Sequence, residues 1–534
     1  MRPIAWWCSL GWLVAASLAV LHAWMLHRYA VDFPFQDDFT QLLAAPGYFH
    51  YYPTWREKIA DLFSLSVEHR IVTLRVTAIV QTWLPGGLNI RGLIYFGNLL
   101  CVAVGVLVIW RATTTHRGWL AVLAALLLFS PINVTAQYWA TGVLAHVAVV
   151  AYAFGALFCL TRRGIAWDIA AALLALCAAL TVANGLMVLP VGTVLLWLGG
   201  RRRAATLWGV MTVGLFATYF IGYEAPAGRP PMLLLLRRPF RLFVLYLSAL
   251  GSVGERFDLS VLLGALMVAV WGWLLITRPS ERVSPVLVAW MGFLALSAAA
   301  ITAGRAPLGD EALLISRYRV YSEVALLITI VATLQRLGAR GARWILPPLL
   351  ACAALWFWHG WEANIPVVGD IATMQRNGLD HYLLNGHGVY YGFPPQDFGD
   401  FMLHRAKELG HFLPASNSSP APQMAASDEA PHAAALPQLQ AAPPYADADA
   451  VSVRGFILAN ERHAALWLKG ERQQYWGPLK TQRLFRALDN SDWVIFWNTL
   501  PLRGVVPGHY RVGYALGQDP RAEVQWSDVW LDVR

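Results

Sequence analysis

Charge is scarce in this sequence: Asp, Glu, Lys and Arg make up 14% of 534 residues, whereas 57% are hydrophobic. A soluble chain of this length cannot hide so much apolar surface, which excludes an ordinary soluble enzyme and leaves a polytopic membrane protein. Cysteine is scarce too. All five, Cys8, Cys101, Cys159, Cys177 and Cys352, fall in or beside apolar runs, so neither a disulfide framework nor a Cys-based zinc site is expected in the polar C-terminal part. There is no Gly-x4-Gly-Lys-Ser/Thr loop and no Gly-rich fingerprint after a strand, which argues against ATP or a dinucleotide as energy source. No His/Cys cluster has metal-ligand spacing, and no Gly-x-Ser-x-Gly elbow occurs. The excess of 41 Lys+Arg over 32 Asp+Glu is small and dispersed, which excludes a nucleic-acid partner.

What is present is a series of apolar runs. The first covers residues 4–26; its length, with no clear small-residue cleavage site after it, favours a retained helix over a cleaved signal peptide. Others follow at 93–110, 119–138, 142–160, 166–183, 185–199, 206–223, 259–277, 284–303, 320–335 and 344–361. Residues 231–250 are apolar but interrupted by Arg237, Arg238, Pro239 and Arg241, and read as interfacial or re-entrant. Basic clusters at 111–117, 162–163, 201–203, 278–282 and 336–343 alternate with connections poor in Lys and Arg. With those clusters in the cytoplasm, about 11 spans result, with the N-terminus inside and everything after Trp361 outside.

The polar chemistry lies in the outward connections. Asp37 and Asp38 stand side by side among Phe33, Phe35 and Phe39, a few residues after the first span. Carboxylates needed for chemistry at the membrane face explain their place; solvated loop acids, or Asp37 as a helix cap, are the plainer explanation. Ile59, Leu62 and Phe63 are spaced for an amphipathic helix on the membrane surface. Glu68, His69 and Arg70 precede a semi-apolar helix, and Arg91 opens the second span. Arg305 and Arg317, the latter beside Tyr318, are arginines on the side that the positive-inside rule disfavours, where a guanidinium can hold phosphate through several directed hydrogen bonds. Pairing with Asp310, Glu311 or Glu323 would instead make them structural. A lone interfacial His such as His69 is also more often structural.

The first 200 residues resemble the N-terminal part of GT-C glycosyltransferases, the family of protein O-mannosyltransferases and the aminoarabinose transferase of lipid A. In that family an external loop with paired acids follows the first span, matched here by Asp37 and Asp38; a surface helix follows, then an Arg opening the second span, matched by Arg91. The stretch Thr181 to Pro190, with Gly185-Leu186 and Leu189-Pro190, is similar to the family's Gly-Leu…Leu-Pro stretch. Glu68-His69-Arg70 departs from the family's His-Pro-Pro-type sequence, which bears on subfamily and acceptor. The resemblance implies transfer of a sugar from a polyprenyl-phosphate donor lying in the membrane lipid to a glycan, lipid or protein acceptor outside a bacterial-type inner membrane. Asp37 would be the general base. Asp38 would orient it, raise its basicity or hold a divalent metal ion; no other cofactor is expected. Arg305, Arg317 or Arg70 would stabilise the departing phosphate.

After the membrane part, residues 1–361, comes an external connecting segment, 362–414, of mixed polar and aromatic character. An Ala/Pro-rich stretch, 415–450, reads as a flexible linker. Short alternating runs at 451–458, 465–468, 493–497, 510–516 and 524–533 predict an external all-β domain of roughly 85 residues, sandwich-like. Its Trp476, Trp493 and Trp497 are either core aromatics or platforms for sugar rings. A transporter or flippase of lipid-linked sugar is the alternative from another class; span centres almost free of Asp, Glu, Lys and Arg count against it. A membrane-anchored scaffold leaves the external acids and arginines without a role. A polymerase or ligase of lipid-linked glycans shares the substrate chemistry and is not separated by sequence.

Overall fold

A computed structural model describes residues 3–112, 116–223, 237–276, 283–390, 392–414, 423–427, 432–433, 439–447, 449–458, 463–486, 492–517 and 523–534. The basic cluster at 278–282, the start of the 231–250 stretch and much of 415–450 lie mainly outside these residues. The chain divides into two compact units: residues 1–28, 48–80 and 92–361, and residues 29–47, 81–91 and 362–534.

The first unit is helical, and the chain is a membrane protein. Among the described residues seven helices are long and apolar enough to cross a bilayer, from Ser9–Tyr29 to Ser316–Asn385. Ile165–Ala179, Ala183–Leu198 and Pro239–Leu250 are apolar but shorter. Among the described residues these long apolar helices are fewer than the 11 expected spans, and the last of them covers two of those spans. The expected spans at 320–335 and 344–361 lie in two helices within Ser316–Asn385, which meet at Gly338, whose φ of 69° and ψ of −175° are not helical. Glycine alone takes that conformation cheaply, while the Ala and Arg residues around it are good helix formers, so the chain passes from one helix to the next at this single residue. The second of these helices continues through residues 362–385, which are thus not an irregular connection.

Without water, helices in a bilayer associate through close backbone approach and shared polar groups. Leu247 and Gly264 illustrate the first: a Cβ on Gly264 would lie 2.0 Å from the Leu247 carbonyl oxygen. Asn98 illustrates the second, donating to the Gln137 carbonyl at 2.8 Å and meeting His22 Nε2 at 3.0 Å. Phe154 and Trp290 stack at 4.6 Å, and the indole N–H donates to the Phe154 carbonyl. At one end, Arg201 forks onto Asp168 with two 2.7 Å bonds and also reaches the Arg162 carbonyl. Asp168 is thereby a structural ion-pair member.

A surface helix, Trp55–Leu62, opens with a Thr54–Glu57 capping box. Its Trp55, Ile59 and Phe63 are exposed, as an interfacial helix requires. Arg75, buried beneath its end, donates to the Asp61, Leu62 and Ser64 carbonyls.

The second unit holds the sheet. Its strands are β1 (Ala425–Ser427), β2 (His432–Ala433), β3 (Gln440–Ala441), β4 (Tyr445–Ala446), β5 (Ala450–Leu458), β6 (Ala464–Lys469), β7 (Gln474–Arg486), β8 (Asp492–Pro501), β9 (Gly508–Leu516) and β10 (Glu523–Val533). The main order is β2-β10-β9-β6-β7-β8-β5-β3, antiparallel except for β10–β2. It is one continuous sheet rather than a sandwich, because the long β7 pairs with β6 up to Leu479 and with β8 from Lys480 onward. Val451 and Val453 of β5, Leu466 and Leu468 of β6 and Val512 of β9 share one core. The described parts of 415–450 add β1 to β4 to this sheet, so they are not a free linker. Residues 362–385 pack on it through Asn377, which donates to the Val453 carbonyl at 2.7 Å, and through the Asp370–Arg454 pair.

Candidate functional site

Within the helical unit a cavity of about 380 Å³ is lined by Glu68, His69, His146, Asn184, Arg305, Tyr318 and Tyr321, with apolar walls including Leu186, Met187 and Ile301. Residues from five separate stretches of sequence meet there, and each stretch is held by a local device. Ser66 and His69 exchange backbone hydrogen bonds across a tight turn whose Val67 has φ 55°, which projects Glu68 inward. Arg70 fixes the turn from behind, donating to the Tyr219, Phe63 and Ile221 carbonyls. Its guanidinium is therefore a structural anchor, not the phosphate ligand that the sequence invites.

The stretch from Thr181 to Pro190 forms another wall. Its 3-10 turn Ala183–Met187 depends on Gly185, where a Cβ would lie 1.8 Å from the Ala178 carbonyl oxygen. The Ala183 amide donates to His69 Nδ1 at 3.4 Å, so a neutral ring carries its proton on Nε2, 3.6 Å from Glu68 Oε1. Arg305 ends the helix Pro285–Arg305, and Pro307 and the left-handed Gly309 turn the chain back to Ser316. Ser316 is tied to Thr135 by a 2.6 Å hydroxyl contact.

Electrostatically, two guanidinium groups share the surroundings of one ring. Arg305 is ion-paired with Glu68, and both side chains are largely buried. The Arg305 and Arg317 guanidinium carbons lie 5.7 and 5.4 Å from the centre of the Tyr318 ring, and Arg317 also lies 5.9 Å from that of Trp139. Among the described residues Arg317 has no ion-pair partner. Two of the three carboxylates that could have made it structural are engaged elsewhere, Asp310 with Arg241 and Glu323 with Asn133, and Glu311 forms no ion pair with Arg317 among the described residues. Arg319 is the structural arginine here, bonded to Glu255 and to the Ile132 and Leu314 carbonyls.

His146 and Tyr321 were not singled out by sequence. The His146 ring meets the Tyr321 hydroxyl at 3.2 Å and packs edge-on against Tyr318 at 5.2 Å. The available signal was a lone His in an apolar run; the π-helical turn Val143–Val147 that carries it has no sequence signature.

Asp37 and Asp38 belong to the second unit and differ from each other. Asp38 is fully buried and accepts the Phe35 amide at 3.0 Å. Asp37 is half-buried, and its backbone carbonyl accepts from Gln41 at 2.8 Å. Gln36 takes φ 46° to make this turn. Phe33 and Phe39 are buried on either side; Phe39 meets Tyr390 edge-on at 5.1 Å, and Tyr390 donates to Asp400. Burial and the Asp400 charge push the Tyr390 hydroxyl well above its ordinary pKa. Arg91 donates to the Ala30 carbonyl, and Asp32 accepts the Ile90 amide at 2.7 Å, so both serve the start of the helix Ile90–Arg111. Among the described residues no group of three or more His, Cys, Asp or Glu side chains is placed to hold a metal ion.

The tryptophans chosen from sequence sit in the sheet. Trp497 is buried, with Arg376 over its ring, Trp493 packs on Phe456, and Trp476 packs against Trp467 and its neighbours. Among the described strands of the sheet the exposed indole is Trp530. Comparison with protein-family models, with curated proteins and with solved structures finds no match to this chain.

Proposed function

We propose that this protein is a membrane glycosyltransferase, GT-C-like in architecture, that moves a sugar from a polyprenyl-phosphate carrier to a glycan, lipid or protein acceptor on the outer side of the inner membrane. The observation that carries this reading is Arg317: a cation without an ion-pair partner among the described residues, set with Arg305 on the ring of Tyr318, and beside the cavity that Arg305 and Tyr318 line without itself lining it. A phosphate monoanion or dianion is the ligand that such a pair of forks binds best. As the glycosyl bond breaks, charge accumulates on the departing phosphate, and guanidinium groups held in place stabilise that charge without reorganising. Apolar walls suit the first isoprene units of the carrier.

On this proposal Glu68 holds Arg305 in position, and His69, with its proton directed at Glu68, steadies that carboxylate. Asp37 takes the acceptor proton, a role that rests on the family resemblance, and Asp38 positions the turn that presents it. The test is transfer by the purified protein in detergent, from a labelled polyprenyl-phosphate sugar to acceptors extracted from the envelope. Product that forms with wild type and not with Arg317→Ala supports the proposal.

Glu323 favours a second reading. It is a fully buried carboxylate in an apolar helix, so at least one ionisable group lies inside the helical unit away from solvent. Coupled transport of a lipid-linked sugar needs such a group. Sugar-lipid counterflow in proteoliposomes, with no transfer in detergent, would favour the transporter.

A further inference from the structure

The sheet carries a second concavity, about 880 Å³, between the β6–β7 turn and the strands β9 and β10. Its walls include Lys469, Arg472, Arg511, His509, Trp526 and Trp530. Trp530 is 53% exposed, a poor investment for an indole with no task in the core. It is nevertheless held flat. The His509 ring stacks on it at 4.7 Å with an interplanar angle of 5°, and His509 Nδ1 is fixed by Asp532 at 2.5 Å. Trp526 is the second aromatic wall, with the Lys469 ammonium 5.5 Å from its ring centre. Trp526 and Trp530 stand on either side of a register shift in β10, and both line this concavity.

We infer that this groove binds a glycan chain, with Trp530 as the platform for one sugar ring. Three observations select that ligand. A rigid exposed indole offers its face to the C–H surface of a pyranose, a contact that costs little side-chain entropy. The polar lining mixes donors, Lys469, Arg472 and Arg511, with acceptors, Glu471 and Gln473, and sugar hydroxyls need both. The volume lies in the upper range of ligand sites and exceeds what one sugar ring requires. An anionic membrane surface fits less well: the rings line a hollow instead of protruding, and Glu471, Asp528 and Asp532 lie in or beside it. The inference goes beyond the transferase proposal and does not depend on it, because a glycan-binding groove would serve a transporter equally.

The experiment is binding of the full-length protein, in detergent, to an immobilised panel of neutral and acidic oligosaccharides that includes the glycans of its own cell surface. Wild type is expected to retain at least one saccharide. Trp530→Ala should weaken that binding roughly tenfold, the size of one lost aromatic contact, and Trp530→Phe should recover most of it. Tm is measured on each variant, so that loss of fold is separated from loss of contact. Two results would overturn the inference: a wild-type protein that retains no saccharide, or equal retention by wild type and Trp530→Ala. A fall in oligomeric mass in Trp530→Ala, without saccharide binding by wild type, would assign the groove to self-association instead. Neither readout uses transfer activity, so failure here leaves the transferase proposal standing, and the reverse also holds.

Discussion

Glu68 and Arg305 form an ion pair in the cavity of the helical unit, although most of that unit's sequence separates them. Two charges withdrawn from water repay their desolvation only when both are present. Arg305→Ala should therefore lower stability by about 3 kcal/mol, because it removes the guanidinium partner of a buried carboxylate. The double variant Glu68→Gln/Arg305→Ala should recover most of the lost Tm. On the transferase account it should not recover turnover. Thermal melts of the three proteins in one detergent check the first part, and donor turnover checks the second.

Arg317 differs because no carboxylate among the described residues is ion-paired with it. Its loss should leave Tm nearly unchanged while turnover falls. Lysine keeps the charge and loses the fork, so Arg317→Lys should retain partial activity and Arg317→Ala very little. A contact that strengthens as the phosphate charges lowers kcat more than it raises KM for donor. Lower Tm with unchanged kinetics per folded molecule would remove Arg317 from the donor site.

The two aspartates should separate cleanly. Asp37→Asn keeps volume but cannot accept a proton, and on the proposed mechanism it should reduce transfer by about 100-fold or more with Tm retained. Asp38→Asn can still accept the Phe35 amide and should be mild, whereas Asp38→Ala leaves that amide without its partner and should lower Tm. Wild-type turnover in purified Asp37→Asn would remove it as the base. Turnover unaffected by chelators in all these proteins would count against a metal ion on the pair.

Stability should depend on pH through Asp32. Burial raises its carboxyl above the ordinary value of 3.8, against the lowering effects of the Ile90 and Arg91 amides and the Arg91 charge. The folded protein thus holds this proton more tightly than the unfolded chain does. The stabilisation is complete below 3.8 and is lost as pH rises through the folded pKa. Asp32→Asn has no such proton and keeps an acceptor for Ile90. Its Tm should fall less than wild type's as the pH is raised from about 4 to about 7. Parallel Tm curves would contradict this.

Much of the cavity was legible because polar residues between apolar runs stand out: Glu68, His69, Arg305 and Tyr318 are all there. The functions of Arg70 and Arg91 were not legible, since both spend hydrogen bonds on backbone carbonyls, partners that side-chain sequence does not encode. His146 was hidden by its apolar neighbours. In the sheet, β7 escaped notice because Gly477-Pro478 and the Lys, Gln and Arg beyond them read as a turn and a polar loop, yet the strand runs through them. The short strands β1 to β4 lie in an Ala/Pro-rich stretch whose composition signals a linker; pairing with longer strands overrides that preference. The break between the last two spans was legible, but not that it is confined to Gly338, because glycine among basic residues reads as a longer loop.

The most direct measurement is mass spectrometry of lipid-linked sugars and surface glycans in a strain lacking this protein, complemented with wild type or with Arg317→Ala at equal membrane levels. The account predicts that a polyprenyl-phosphate sugar accumulates and one glycan, lipid or protein modification disappears, and that wild type but not Arg317→Ala restores both. Unchanged lipid-linked sugars and unchanged surface modification in the deletion strain would contradict it.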